Sequence, residues 1–114
     1  MRMAEQYNIV VAITGKRDII ASAESLYFVD NGHPLMASIT GTGCMATTMI
    51  GAFAAVEKDC ALASMAALAC FGLAGEIAAK KAKGPASFRV ALLDAVYNLR
   101  PETVQKGARV TKAK

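Results

Sequence analysis

The sequence predicts an α/β fold in which short strands are followed by three or four helices, with a sheet left incomplete within the chain. Three observations lead there. Residues Ile9 to Thr14 read IVVAIT, an unbroken apolar run closed by Gly15, which is the pattern of a strand buried on both faces of a parallel sheet. From Gly43 the apolar residues change to helical spacing and keep it. All strand-like segments precede all helical ones, and a doubly buried strand needs neighbours on both sides, so further strands are expected from an upstream half or from another chain.

Ile9 to Thr14 is predicted as a central strand. After the charged turn Lys16-Arg17-Asp18, two β-rich runs, Ile19 to Ala21 and Leu26 to Val29, are separated by Ser22-Ala23-Glu24-Ser25 and read as hairpin strands at the sheet edge. The turn Asp30-Asn31-Gly32 follows. Met45, Met49, Ala52, Phe53 and Val56 then mark one face of a first helix, which breaks at Glu57-Lys58-Asp59. Asp59 is suited to cap a second helix running to about Ala82, apolar nearly all round from Cys60 to Gly75 and therefore buried on most sides. Gly84-Pro85 ends it. Ser87 is suited to cap a third helix with Phe88, Leu92, Val96 and Leu99 on one face, and Pro101 suits the first turn of a short last helix. The chain thus divides into strands over about 9–39, helices over about 43–108 and a basic tail at 109–114, as one domain or the C-terminal half of a larger one.

A chain of 114 residues that is 54% hydrophobic has the size and apolar content of one globular domain. The apolar runs Cys44 to Val56 and Cys60 to Gly75 each fall short of the roughly 18 to 20 residues that cross a bilayer. The segment Met1-Arg2-Met3-Ala4-Glu5-Gln6 lacks the apolar stretch of a secretory signal, so a cytoplasmic location is expected and no membrane partner. Three cysteines, without a CxxC pair, form neither a disulfide framework nor a zinc site. The net charge of +4 comes largely from Lys80, Lys81, Lys83, Lys106, Arg109, Lys112 and Lys114, without interleaved aromatics, which argues against a nucleic-acid partner and is compatible with a nucleotide or phosphate ligand.

The chemistry concentrates in Ile39-Thr40-Gly41-Thr42-Gly43-Cys44. A Gly-x-Gly segment leading into a helix presents main-chain amides at the positive end of the helix dipole, a generic anion site. Without side chains at Gly41 and Gly43 a phosphoryl oxygen can approach the backbone, and Thr42 adds a hydroxyl donor. The competing reading is a glycine turn and nothing more. Cys44, in the first helical turn, could act as base or nucleophile, or be a small buried apolar residue; Cys60 and Cys70, inside the apolar second helix, read as core. Thr14 ends the first strand at the carboxyl edge, where open α/β sheets place ligands, and can donate to a nucleotide phosphate or cap the adjacent turn. His33, the one histidine, reads as a loop residue with a surface or turn role.

Taken together, Val11-Ala12-Ile13-Thr14-Gly15, Asn31-Gly32-His33-Pro34-Leu35, Ile39 to Cys44 and Gly51-Ala52-Phe53-Ala54-Ala55-Val56 resemble hydroxyethylthiazole kinase, as does Gly84-Pro85-Ala86-Ser87-Phe88. The likeness runs from about Asn8 to Leu99 and points to the C-terminal part of that family's chain. It implies a ribokinase-like three-layer fold and magnesium-dependent transfer of the γ-phosphate of ATP to the hydroxyl of hydroxyethyl-methylthiazole, in thiamine synthesis or salvage. It implies Cys44 as the base where related kinases carry Asp, Thr14 as an ATP contact, Gly41 as a substrate contact and Gly41-Thr42-Gly43 as the anion hole. It also implies a homo-oligomer, a trimer, with no metal ligand in this part of the chain. The family's chains are about twice as long, and the magnesium-binding acids and most of the thiazole pocket belong to the other half. Two departures stand out: Ala21 to Ser25 lacks the Asp-Gly turn of many members, and Ala86 replaces a common glycine. The alternative to an enzyme half is a truncated, non-catalytic module, or the remnant of a ribokinase-like small-molecule kinase.

Overall fold

The computed structural model describes residues 6–7 and 9–113. Met1 to Glu5, Asn8 and Lys114, which figure in the expectations above, lie outside the described residues. Four strands form one sheet in the order β1 (Val11–Ile13), β2 (Asp18–Ala21), β3 (Leu26–Val29) and β4 (Val110–Lys112). Four α-helices, α1 (Thr42–Ala54), α2 (Cys60–Lys81), α3 (Pro85–Asn98) and α4 (Pro101–Gly107), lie between β3 and β4, preceded by a 3-10 turn at Pro34–Ser38. The α/β fold class is as expected, and three strands precede the helices, but a fourth, β4, follows them.

The sheet departs from expectation in direction and placement. All three pairings are antiparallel, with Val11 opposite Ala21, Ile20 opposite Tyr27 and Val29 opposite Val110. Only Val11–Ile13 of the run Ile9 to Thr14 forms a strand, which is an edge strand among the described residues, paired there with β2 alone, and Ile9 and Ile13 remain 47% and 46% exposed. The expected hairpin strands β2 and β3 are the central ones. Uniform apolarity records that a strand is destined for burial, but not whether its own chain supplies the cover. The sheet is incomplete within this chain. Part of the segment read as a basic tail forms β4, which borders β3.

The β2–β3 turn holds without an Asp-Gly pair. Ser22 Oγ accepts from the amides of Glu24 and Ser25 at 3.3 and 2.9 Å, and the Ser22 amide donates to the Ser25 carbonyl at 2.8 Å. A serine hydroxyl thereby closes a tight turn in place of left-handed backbone.

Period-two alternation aims Ile20, Tyr27 and Val29 at α2, and α2 is the one helix packed extensively on the strands. Asp59 Oδ1 caps α2 as predicted, accepting from Ala61 and Leu62 at 3.1 Å each. Its 22 residues are long and apolar enough to cross a membrane by length and composition, longer than the apolar run suggested, yet 67% of its apolar window is covered by protein. The cover comes from β2 and β3 on one side and from α1 and α3 on others. Alanines and glycines along α2 let these neighbours approach closely; a β-carbon at Gly72 would sit 2.6 Å from the Asn31 carbonyl oxygen.

On α3, Phe88 and Leu92 are fully buried as expected, with Val96 only half-buried. Ser87 is not the N-cap: Gly84 precedes the helix, Pro85 opens it, and Ser87 Oγ reaches back to accept from the amides of Lys83 and Gly84 at 2.8 and 3.2 Å. On α1, Met45 and Met49 pack against the core and Phe53 is half-buried, but Ala52 and Val56 are exposed, and Ala46 and Ile50 take their place. Cys70 lies in the core, whereas Cys60, in the first turn of α2, is exposed. Ala61, Ala63 and Ser64 in the same turns are buried, so Cys60 lies on the solvent face of the helix start.

Candidate active site

The segment Gly41 to Cys44 turns directly into α1. Gly41 is the N-cap with φ 97°, a left-handed conformation that strains any residue bearing a β-carbon. The first helical hydrogen bond runs from the Met45 amide to the Gly41 carbonyl at 2.9 Å. The amides of Thr42, Gly43 and Cys44 precede it, and no side chain caps this end. A β-carbon at Gly41 or Gly43 would meet no atom within 4 Å, so neither glycine is required by close packing of a neighbour. Among the described residues these three N–H groups have no hydrogen-bond partner, and they stand at the positive end of a 13-residue helix, an arrangement that favours an anion.

That site borders a cleft of about 680 Å³ lined by Thr14, Thr42 and Gly43 together with Asp18, Asn31 and Phe71. The fold therefore brings Thr14, at the end of β1, into one cavity with the start of α1. Gly41 and Cys44 are not among the lining residues; Gly41 adjoins them in sequence, and the Cys44 thiol is exposed on the first turn of α1. Thr42 is placed differently from expectation. Its hydroxyl donates to the Met36 carbonyl at 3.0 Å, so its single proton is committed to holding the preceding turn and the donors of this end are main-chain amides. Arg89 on α3 donates to the Thr40 carbonyl at 2.7 Å and ties the approach to Gly41 from the other side.

Thr14 makes no hydrogen bond among the described residues, and the turn after β1 is closed instead by Asp18, whose Oδ1 accepts from the Gly15 amide at 3.1 Å. His33 has the turn role expected of it: Nδ1 accepts from the Leu35 amide at 3.1 Å and caps the 3-10 turn. Asn31 escaped sequence reasoning. Buried at 5% exposure, it donates through Nδ2 to Glu76 Oε2 at 2.7 Å and to the Gly107 carbonyl at 2.9 Å, and its Oδ1 accepts from the Arg109 amide at 2.7 Å. Arg109 in turn pairs with Glu76 at 2.8 Å. An Asn-Gly pair after a strand signals a turn, and only the tertiary structure shows it as a junction of β3, α2 and the segment before β4.

Burial pushes the Asp18 carboxyl above the usual carboxylate range; the Gly15 hydrogen bond opposes this and the nearby Asp30 charge adds to it. Asp30 lies below the range, chiefly because Arg17 donates to it through Nε and Nη2 at 2.7 and 3.1 Å. Burial raises the Cys70 thiol. Folded Asp18 thus takes up its proton at a higher pH than the unfolded chain does, so its charge costs stability at neutral pH, and this cost disappears as pH falls through the raised value. Asp30 acts oppositely: its contribution is present above the ordinary carboxylate value and is lost as pH falls through the lowered one. Asp18→Asn keeps an acceptor for Gly15 and is expected to melt higher than wild type at pH 7, the gap closing on acidification. A thermal midpoint at or below wild type at pH 7 would refute this.

The model of the hydroxyethylthiazole kinase family matches residues 1–102. The chain belongs to that family. Hydroxyethylthiazole kinase of Roseiflexus sp. (strain RS-1) is 60% identical over 97% of this chain and 41% of its own, and the enzyme of that name from Chloroflexus aurantiacus is 54% identical over 96% and 40%. Among solved structures, hydroxyethylthiazole kinase protein from Pyrococcus horikoshii OT3 superposes with a TM-score of 0.88 at 39% identity, covering 97% of this chain and 43% of that one. The chain spans about two-fifths of the length of the curated hydroxyethylthiazole kinases it matches. Fold and family agree with the resemblance drawn from the sequence blocks.

Proposed function

We propose that this chain supplies the anion hole and the base of an ATP-dependent hydroxyethylthiazole kinase, phosphorylating the hydroxyl of hydroxyethyl-methylthiazole in thiamine synthesis or salvage. The observation that carries this reading is the set of unengaged Thr42, Gly43 and Cys44 amides opening beside a cleft that also presents Thr14. Phosphoryl transfer rests on positioning and charge stabilisation more than on a strong base, so amides aimed at the transferring group provide what the reaction most needs. In this mechanism the amides hold the γ-phosphoryl oxygens, the Thr14 hydroxyl contacts the nucleotide phosphates, the Gly41 backbone approaches the substrate, and Cys44 orients the attacking hydroxyl and accepts its proton. Magnesium would neutralise phosphate charge. Among the described residues no group of three His, Cys, Asp or Glu is placed to hold a metal ion, and this reading assigns the magnesium ligands to the portion of the enzyme outside this chain.

The remaining parts of the site are assigned to the three-fifths of the relatives that this chain does not match. The free edge of β1 and the exposed Ile13 favour completion of the sheet by that portion. The same free edge also fits the second reading, a non-catalytic module that assembles without turnover. The complete enzyme is proposed as cytoplasmic and trimeric, on the strength of the family resemblance.

Steady-state kinetics separate the two readings. In an assembly of this chain with the missing portion, Cys44→Ala is expected to lower kcat about 100-fold or more, the range lost with a general base, with little change in KM for ATP. Unchanged turnover removes Cys44 from this role, and an assembly inactive on the thiazole alcohol favours the non-catalytic reading.

A further inference from the structure

The turn between β1 and β2 carries a cation that none of the assignments above uses. Lys16 lines the same cleft as Thr14, Thr42 and Gly43, and it is the one lysine or arginine among the lining residues. Its neighbour Arg17 is committed: it pairs with Asp30 at 2.7 Å and lies 5.0 Å above the Phe28 ring. The other recorded ion pair joins Arg109 to Glu76, and Lys16 has no carboxylate partner among the described residues. A lysine without a carboxylate partner among the described residues thus lines the same cleft as the start of α1.

We propose that Lys16 is a further phosphate-binding residue of this cleft, contacting the polyphosphate of a nucleoside triphosphate from a turn whose shape Asp18 sets. The proposal rests on the nucleotide-binding reading above and extends it to a residue outside the Gly41 to Cys44 segment. Amide donors give geometry but no net charge, and a polyphosphate spreads several negative charges over a length greater than one helix end can cover. A lysine on a flexible stem answers that need as a mobile point charge. The carboxylate of Asp18 takes the Gly15 amide and so closes the turn that holds both Thr14 and Lys16 beside the cleft. Asp18, 9% exposed as a residue, carries its charge at a cost in stability where an amide side chain would serve as acceptor, which fits a site shaped for binding rather than for stability alone.

Nuclear magnetic resonance titration of this chain with ATP, tripolyphosphate and adenosine at low ionic strength tests the proposal. Lys16→Met is expected to weaken ATP and tripolyphosphate about tenfold, the loss of one charge-assisted contact, and to leave adenosine unchanged, while Lys16→Arg stays within about twofold of wild type. The Lys16→Met deficit should shrink as salt is added. Asp18→Asn should keep both the protection of the Gly15 amide from hydrogen exchange and the ATP affinity, and Asp18→Ala should lose both. ATP binding by Lys16→Met equal to wild type, or equal losses for ATP and adenosine, overturns the assignment to Lys16 while leaving the nucleotide reading in place. Unweakened ATP binding by Asp18→Ala overturns the role of the turn. Wild-type chain that binds neither ATP nor tripolyphosphate overturns this proposal and the nucleotide reading together.

Discussion

Replacing Gly72 by alanine is expected to cost about 2 kcal/mol of stability, although helix propensity alone would favour alanine over glycine by about 1 kcal/mol. The new β-carbon would lie 2.6 Å from the Asn31 carbonyl oxygen, 2.7 Å from its carbon and 2.9 Å from its β-carbon. The first two are backbone atoms on the segment leaving β3, and Asn31 is pinned by three hydrogen bonds. Relief therefore requires moving the whole segment away from α2, an overpacking strain of about 3 kcal/mol against the propensity gain. Gly75, one turn further along, provides the contrast. There the atoms met are the Sδ, Cγ and Cε of Met36, at 2.5 to 3.2 Å, and a methionine tip can turn aside. Gly75→Ala should be close to neutral. Urea unfolding of the two variants decides the matter, and a Gly72→Ala chain as stable as wild type would show that the approach of Asn31 to α2 is looser than described.

Asn31→Ala is expected to cost about 3 kcal/mol. The substitution leaves the Gly107 carbonyl and the Arg109 amide without their partner and strips Glu76 Oε2 of its shortest hydrogen bond. An unsatisfied buried polar group costs about 1 to 3 kcal/mol, and two part-buried ones are left here while the hole left by the amide is small. The loss should be localised as well as global. The Arg109 amide is held by Asn31 immediately before β4, and the Asp30 amide donates to the Arg109 carbonyl at 2.9 Å, so the β4 amides should exchange faster than those of β2. A melting curve within about 1 kcal/mol of wild type, with β4 still protected, would contradict this role.

Local chemistry made part of this legible in advance. Asp59 reads as a cap because its carboxylate needs only the amides two and three residues on, and Gly41 and Gly43 mark a helix start because both the left-handed turn and the open backbone are local properties. The Cys70 core position follows from unbroken apolarity around it. Features that depend on distant partners were not legible. The run Ile9 to Thr14 looks the same whether its edge is covered or bare, Val110-Thr111-Lys112 is too short to announce a strand, and the Thr42 hydroxyl is diverted by a carbonyl six residues away. The site divides along the same line. Gly41, Thr42, Gly43 and Thr14 stand out as candidates from their own neighbourhoods, whereas Asn31, Asp18 and Lys16 are seen beside Thr42 and Gly43 only once the folded cleft brings them together.

The pairing of β3 with β4 has a kinetic consequence. Tyr27 meets Lys112 and Val29 meets Val110, so a strand made early waits for a partner made more than 80 residues later. At the usual pace of about 5 to 20 residues per second, a ribosome leaves the edge of Leu26-Tyr27-Phe28-Val29 open for several seconds while four helices are being synthesised. During that interval an apolar edge is available to any other strand, including the same edge on a neighbouring nascent chain. Its guards are Arg17, stacked over Phe28, and Asp30 at the strand's end. Yield of folded protein should therefore depend on how quickly the last strand reaches its place, a dependence that the stability of the finished fold does not reveal.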